Sequence, residues 1–599
     1  MISERVIMIY NVKEPPYHAL GDGSADDRSA IQQAILDAGA AAGGVVYLPK
    51  GTYRIEAGLR VEHDGVSLVG AGPESIILHP AVDSPFLPVL FQKGSAIGTD
   101  PGELRNVGAR DLTVEFEHRG PSSAPGIQLN RCTDWFCERL TVRGDRAGMG
   151  GSATNGIAAG FGSRDGIISG CVVDGVSKPA FYIAWGERIS VVGCTAKHIK
   201  GGAVAGAGVG FAAGQARDVT FIDCHASRCE GNGFHITNLG GFPFLVLSTN
   251  PTWTQLTIEI SPQGGPTPGP LAPMIMDAIG IYDPARTRYV ALPVQSVARV
   301  DGFINRWNVT LSEPSPVPLV EGSTLVEAGF RPYRGVSIIG GSSCDNGTGS
   351  TPAAGVGVGA LLVGAVGSDL RIVGLTCSGN TIGPGISASS VEDLLIAGCT
   401  LRNNQSGILI EDVAPFTGPA DLTGRVLITG CEIRDNQYHG VMLRGAREVT
   451  VEGTKIHVTG AQAAQTGIHF RRRGDDSTPR RPTSISLRRI DFGSLALPTI
   501  LYHSNQEIGP SHGSEHAAET GFYSIAHSGA PEGAIYAPFG SVYTDTATGV
   551  RYRKETVGTS RSGWAQVHTA EDASITSPRP RSCCETRAAA RSAPWPPRR

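Results

Sequence analysis

The sequence predicts an all-β chain wound as a right-handed parallel β-helix. Three observations predict it. A segment of twenty to thirty residues repeats along the chain, apolar residues alternate with period two inside each copy, and glycine is abundant, 80 of 599 residues, at the joints. A glycine content this high without a Gly-X-Y period fits many tight turns between short strands rather than collagen. A short coil cannot bury its apolar face alone, so copies must stack, about 4.8 Å apart, with like residues above like.

The repeat is clearest in two segments. Asp393–Ile410 and Arg425–Leu443 both read as a short strand, Gly-Cys (Cys399, Cys431), a polar turn with Asn, then Gly and a second alternating strand. Weaker copies end at Gly170-Cys171, Gly193-Cys194, Asp223-Cys224 and Cys377, and a degenerate one at Val449–Gly453. The spacings between successive cysteines are 23 residues (171 to 194), 30 (194 to 224), 22 (377 to 399) and 32 (399 to 431). Leucine-rich repeats share the period, but their Leu-x-x-Leu-x-Leu pattern is missing. The cysteines form no CxxC and no zinc-spaced Cys/His cluster. Half of the 12 sit one per coil, so they are expected as buried, reduced, small apolar residues in a stack.

An open coil end is an aggregation template and needs a cover. Arg28–Ala42 is the best helical stretch, with Ile31, Ala34, Ile35 and Ala38 on one face, and Asp26 or Asp27 is expected to cap its free N–H groups. Val45–Pro49 then enters the first coil. The helix is expected over the N-terminal end of a β-helix running from about 43 to 497.

Five segments follow. Residues 1–240 hold the cap and the first part of the β-helix. Residues 241–333 interrupt the repeat and are Pro-rich, with strand-like pieces at Leu256–Ile260 and Tyr289–Leu292, so they are expected as a long loop or a β insert. The helix resumes over 334–497. Residues 498–570 read as a small β-rich C-terminal module, and 571–599, rich in Arg, Pro and Ala with Cys583-Cys584, as a disordered tail.

A formal net charge of -4 without general basic character argues against a nucleic-acid partner, and the absence of a long apolar run argues against a membrane span. Met1–Tyr10 contains Glu4 and Arg5 and no apolar core, so no signal peptide is expected. The protein then stays inside, leaves by another route such as lysis, or begins at a misassigned start codon.

The N-terminal motifs carry a resemblance. Tyr10-Asn-Val, Gly21-Asp-Gly-x-x-Asp26-Asp27-x-x-Ala30-Ile31-x-x-Ala34-Ile35, Gly43-Gly-Val-Val-Tyr-Leu-Pro-x-Gly-Thr-Tyr53 and Val66-x-Leu-x-Gly-x-Gly72 resemble the opening of the pectate-lyase superfamily domain. That domain is shared by rhamnogalacturonase-like and epimerase-like proteins and by many phage tailspikes. The match is close over roughly the first 80 residues and specific for fold, not for reaction. The segment around Gly533–Tyr543 and Gly563-Trp564 resembles a short module of phage tail and other virion proteins. The resemblance implies a polysaccharide partner, an extracellular or virion-associated place, and a homotrimer if the chain is tailspike-like.

The chemistry is less legible. No Asn-Thr-Asp, no Asp-Asp pair within the coils and no Gly-His-Gly occurs, and Asp475-Asp476 follows three arginines in an expected loop. No cofactor is predicted; calcium would suit the family, but no Asp-rich cluster supports it. Aligning the second strands on Gly-Ile-x-Ile places Tyr182, Gly210, His235, Ser387, Leu409, Met442 and His469 in one outward column. Tyr182 and His235, with a glycine coil between them, are the candidate acid and base. Lys178 and Lys200, in the turns before these strands, are candidate substrate-binding residues. Glu230, also in such a turn, and Asp223, which replaces the glycine before Cys224, are candidate carboxylates. Each has a plainer explanation: outward Tyr and His are ordinary on a β-helix wall, Asp223 suits a turn, and His439 is expected on the surface. Three functions stay open: lyase or C5-epimerase chemistry on an acidic glycan, a tailspike that binds and hydrolyses glycan, and a non-catalytic adhesive β-helix.

Overall fold

The structure, a computed structural model, describes residues 8–567 except 81–85, 95–101, 118–124, 145–154, 161, 202–207, 238–241, 261–277, 284–287, 301–305, 317, 323–324, 331–332, 348–357, 361–366, 390, 412–423, 445, 447, 460–465, 472–484, 493–499, 503–522, 528–529, 533–540, 546 and 557–561. Asp475-Asp476 and Cys583-Cys584 lie outside the described residues.

Each coil contributes three strands. In the coil around Phe221 these are Arg217–Ile222, His225–Ser227 and Phe234–Thr237. The first two belong to a 32-stranded sheet and the third to a 13-stranded sheet, with each strand pairing in parallel with its counterpart in the next coil. The chain is therefore a parallel β-helix. Inside it runs one continuous apolar core, from Val12 to Trp564.

Two ladders show why coils stack in this register. The first is the cysteine column. His225 N–H donates to Cys194 O, Thr195 N–H to Cys171 O, and Glu432 N–H to Cys399 O, so Cys171, Cys194 and Cys224 occupy consecutive coils, as do Cys399 and Cys431. All five are buried. The ten cysteines among the described residues are free thiols. Cys377 is a correction. Thr400 N–H donates to Leu375 O, so Leu375 fills the ladder position, and Cys377 pairs with Leu401 one strand further on. The Gly-Cys pattern had no glycine directly before Cys377 to fix its register.

The second ladder is polar. Asn346, Asn380, Asn404 and Asn436 are buried at the turn after the short strand, one per coil. The backbone N–H of Asn380 donates to Asn404 Oδ1 (3.2 Å), and that of Asn404 to Asn436 Oδ1 (3.0 Å). Asn404 Nδ2 donates to Cys377 O at 3.1 Å. Each side chain thus satisfies backbone groups that the turn would otherwise leave buried without partners.

The helix spans Arg28–Ala40, and Ile31, Ala34, Ile35 and Ala38 are its buried residues. The capping differs in detail from expectation. Asp27 sits at the N-cap but makes no side-chain cap bond. Its carboxylate instead accepts from Leu20 N–H (2.6 Å) and Gly21 N–H (2.9 Å), pinning the preceding loop. Asp26 Oδ1 takes the Arg28 N–H at 3.0 Å and also the Glu56 N–H at 3.1 Å, tying the helix start to the wall.

Between the coils, six strands from Phe242–Thr249 to Leu325–Phe330 close into an antiparallel barrel. It has its own core, including Val246, Ile258, Trp307 and Val309. Both strand-like pieces seen in the sequence are barrel strands. The coil after it, Arg334–Ile339, pairs directly on Arg217–Ile222, so the insertion leaves the stack in register. Beyond 497 the stack continues where the sequence suggested it stops. Ile500–Tyr502 pairs on Ile468–Phe470, and Tyr523–His527 on Ser486–Asp491. Antiparallel strands Arg551–Lys554 and Trp564–Val567 then extend the same sheet.

Two stability predictions follow from these contacts. Asn404→Ala leaves buried donors of Asn380 unpaired and should lower the unfolding free energy by at least about 2 kcal/mol, read by denaturant titration; an unchanged midpoint would remove the ladder from the stabilising contacts. Asp27→Ala orphans two loop N–H groups, whereas Asp26→Ala orphans two that are more exposed to water. The Asp27 variant should therefore melt at the lower temperature of the two, and the reverse order would show that the helix start matters more than the loop.

Candidate functional site

The third strands pair in register, so one outer-face position per coil falls in a single column. Tyr182 pairs with Ala158 on one side and Ala212 on the other, and Ala212 pairs with His235. The column continues through Gly359, Ser387, Leu409, Met442 and His469. Tyr182 and His235 thus share one column two coils apart, about 10 Å along the stack. The residue between them is Ala212, not Gly210. Gly210 lies two positions earlier, level with Ala180 and Gly233. Counting from Phe211 rather than from the glycine-rich run gives the right register, because phenylalanine holds the inward position in all three coils.

Those phenylalanines make the site's floor. Phe181, Phe211 and Phe234 are fully buried and stack face to face, with centroids 4.8 and 4.9 Å apart. Their strands are held by backbone ladders and by this stack, so the side chains on the outer face project from a stiff wall. The alanines at 158 and 212 leave space beside the larger Tyr182 and His235.

Burial sets the protonation of both groups. Desolvation lowers the His235 pKa to about 4, so the imidazole is neutral at neutral pH. Its Nε2 is out of solvent and has no hydrogen-bond partner among the described residues. Burial also pushes the Tyr182 hydroxyl well above its usual range. Tyr182 therefore holds its proton at neutral pH. Lys178, half-buried in the turn before Tyr182, has a pKa lowered by desolvation, and no acid pairs with it among the described residues.

The remaining candidates fall elsewhere. Lys200 N–H donates to Val176 O, which sets Lys200 level with Ser177 on the neighbouring coil and one position short of Lys178. Glu230 lies in the turn before His235, and its carboxylate accepts the Gly201 N–H at 2.6 Å, so it staples that turn to the coil before it. Asp223 does not join the site. It is exposed at the corner between the two strands of the 32-stranded sheet, with φ 48°, in a row with Gly193 (φ 59°) and Gly340 (φ 67°). Asp is among the residues that tolerate this left-handed conformation. A Cβ at Gly340 would come within 2.2 Å of Asp223 Oδ1, which explains the glycine above it.

His439 is not a lone surface residue. Its Nε2 lies 3.2 Å from Nδ1 of His469 on the next coil. Sequence reasoning also missed Asp174, which is buried and lies 2.9 Å from His198 Nδ1. Asp174 ends the short strand Val172–Asp174, and its partner lies 24 residues away on the next coil. Among the described residues no group of three or more His, Cys, Asp or Glu side chains is placed to hold a metal ion, and no helix is long and apolar enough to cross a membrane.

The depressed His235 pKa has a measurable consequence. The folded group loses its proton at a lower pH than the unfolded one, so its neutral form contributes stability that is present above about pH 6.5 and is lost as pH falls toward about 4. A ¹⁵N titration of the histidine rings should show His235 neutral at pH 5.5, and His235→Gln should flatten the loss of melting temperature between pH 7 and 4. A resonance titrating near 6.5 would contradict the desolvated environment.

Residues 9–235 match the family described as rhamnogalacturonase A/epimerase, pectate lyase-like. Among curated proteins, mannuronan C5-epimerase AlgE4 of Azotobacter vinelandii is 43% identical over 114 residues, 18% of this chain and 20% of that protein. Alginate lyase 7 of the same organism is 46% identical over 71 residues, 11% of this chain and 8% of that protein. The matches thus span a fifth or less of these relatives' length. Among solved structures, the A-module of the A. vinelandii C-5 epimerase AlgE6 covers 83% of this chain and 99% of its own at 19% identity, with a TM-score of 0.45. Tailspike protein 3 of bacteriophage CBA120 covers 93% of this chain and 69% of its own at 12% identity and a TM-score of 0.39. The match to the rhamnogalacturonase A/epimerase, pectate lyase-like family thus falls on residues 9–235, the N-terminal motifs and the first coils of the parallel β-helix.

Proposed function

We propose that the protein acts on an acidic polysaccharide laid along the Tyr182–Ala212–His235 column, by proton abstraction next to a uronate carboxylate. The observation that carries this is a neutral, desolvated imidazole and a protonated tyrosine facing out of one wall, with the half-buried, acid-free Lys178 in the turn beside them. The sequence kinship to mannuronan C5-epimerases and to an alginate lyase supports the substrate class.

Each residue then has one task. The neutral His235 imidazole takes the C5 proton of the uronate. Lys178 lies against the carboxylate, where its charge offsets the negative charge that moves onto the carboxylate oxygens as the C5–H bond breaks. Tyr182, kept protonated by burial, delivers a proton. Delivered to O4 as the C4–O4 bond breaks, it completes a lyase reaction and leaves an unsaturated uronate. Delivered to C5 from the opposite face, it completes an epimerisation with no bond to O4 broken. Hydrolysis by paired carboxylates is less supported, because Glu230 is bonded to the Gly201 N–H and Asp223 lies at another corner.

The test is a screen of the purified protein against alginate, polygalacturonate, rhamnogalacturonan and bacterial capsular polysaccharides. Rising ultraviolet absorbance reports a lyase, and a changed uronate composition by NMR without new absorbance reports an epimerase. On the active substrate, His235→Ala should lower turnover at least about 100-fold, and Tyr182→Phe should lower it as well. Full activity in both variants would place the chemistry elsewhere, and binding without turnover of any substrate would favour an adhesive β-helix.

A further inference from the structure

A second polar constellation lies along a different corner, where the short strand of each coil turns toward the 13-stranded sheet. Asp174, Lys197 and Ser227 occupy one position on three successive coils, and Gly175, His198 and Arg228 the next. Asp174 is buried, with its side chain 5% exposed, whereas His198 is 39% exposed and Arg228 is exposed. Asp174 Oδ1 lies 2.9 Å from His198 Nδ1, and Asp174 Oδ2 lies 3.6 Å from Lys197 Nζ. On the far side of the ring, His198 Nε2 lies 3.3 Å from Arg228 Nη1.

These contacts assign the tautomer. A guanidinium only donates, so Nε2 must be the acceptor, and Nδ1–H therefore donates to the Asp174 carboxylate. The chain of bonds runs from a buried carboxylate through a neutral imidazole to an exposed arginine. It uses one of the five guanidinium N–H donors and restrains the plane of the rest. Lys200 lies two residues beyond His198, and Lys178 lies three beyond Gly175, which holds the His198 position one coil earlier. The corner thus gathers Lys178, Lys197, Lys200 and Arg228 against two carboxylates. One of those, Asp174, is buried in the relay, and the other, Glu230, is bonded to a backbone N–H.

We propose that Asp174 and His198 are positioning residues that hold Arg228 as a fixed fork for a carboxylate of the glycan, a subsite apart from the Tyr182–His235 column. A restrained, planar guanidinium suits bidentate recognition of a carboxylate, with less freedom lost on binding than a free side chain would lose. The subsite rests on the acidic-glycan reading and states where a second uronate of the same chain is held.

Calorimetric titration with uronate oligosaccharides from alginate and polygalacturonate, and with a neutral cello-oligosaccharide, tests it. Arg228→Lys keeps the charge but removes the fork, and should weaken binding of the bound uronate oligosaccharide about tenfold while leaving the His235 ring titration unchanged. His198→Ala should weaken it in the same direction, and the ¹⁵N shifts of His198 in the wild-type protein should report the Nδ1–H tautomer. Unchanged uronate affinity in Arg228→Lys would overturn the subsite and leave the acidic-glycan reading intact. Wild-type protein that binds only the neutral oligosaccharide would overturn both. An Nε2–H tautomer for His198 would overturn the relay.

Discussion

The structure depends on one constraint, the in-register parallel hydrogen-bond ladder between coils. Each strand pairs with its counterpart one coil away, so a residue's neighbours are set by its position within the coil and not by its neighbours in sequence. Like must then stack on like. Three phenylalanines become a stacked column, cysteines become a buried file, and asparagines become a chain of side chains bonding the next turn's backbone. The barrel of Phe242–Phe330 shows how strict the ladder is. A whole folded insert is accommodated between two coils, and Arg334–Ile339 still pairs in register on Arg217–Ile222.

The same constraint divides labour between inside and outside. Inward columns are filled and, apart from the asparagine ladder, largely apolar, and they tolerate little change, because each side chain packs on the one above and below. Outward columns carry no such demand. The column through Tyr182, Ala212 and His235 changes from coil to coil, from tyrosine to alanine to histidine, glycine and serine. Variation on a rigid wall is a way to place unlike groups at fixed spacing, which a site of this kind needs.

Electrostatics separate the outward groups that are spent on structure from those that remain available. Arg139 with Asp111, Arg188 with Asp165 and Arg425 with Asp393 pair between coils at exposed corners, where such pairs contribute little. Glu230 and Asp26 are committed to backbone N–H groups. Lys178 and His235 are different. Both lose hydration without gaining a partner among the described residues, and such a cost is usually met by a ligand or a function.

The sequence by itself determined the β-helix, the four buried residues of the covering helix and the cysteine file of Cys171, Cys194 and Cys224. All of these rest on periodicity, and periodicity is a local property of the chain. It also placed Tyr182 and His235 in one column, because their strands share a template. What it misplaced was register wherever the template lacked its marker: Gly210 for Ala212, and Cys377 for Leu375. Only the tertiary structure decided the protonation of His235 and Tyr182, because desolvation depends on what packs around a group and not on its sequence neighbours. Only it joined Asp174 to His198 and His198 to Arg228, or tied Glu230 to Gly201. Those contacts cross between coils, 24 to 30 residues apart, and a pattern read along the chain carries no information about which side chains meet there.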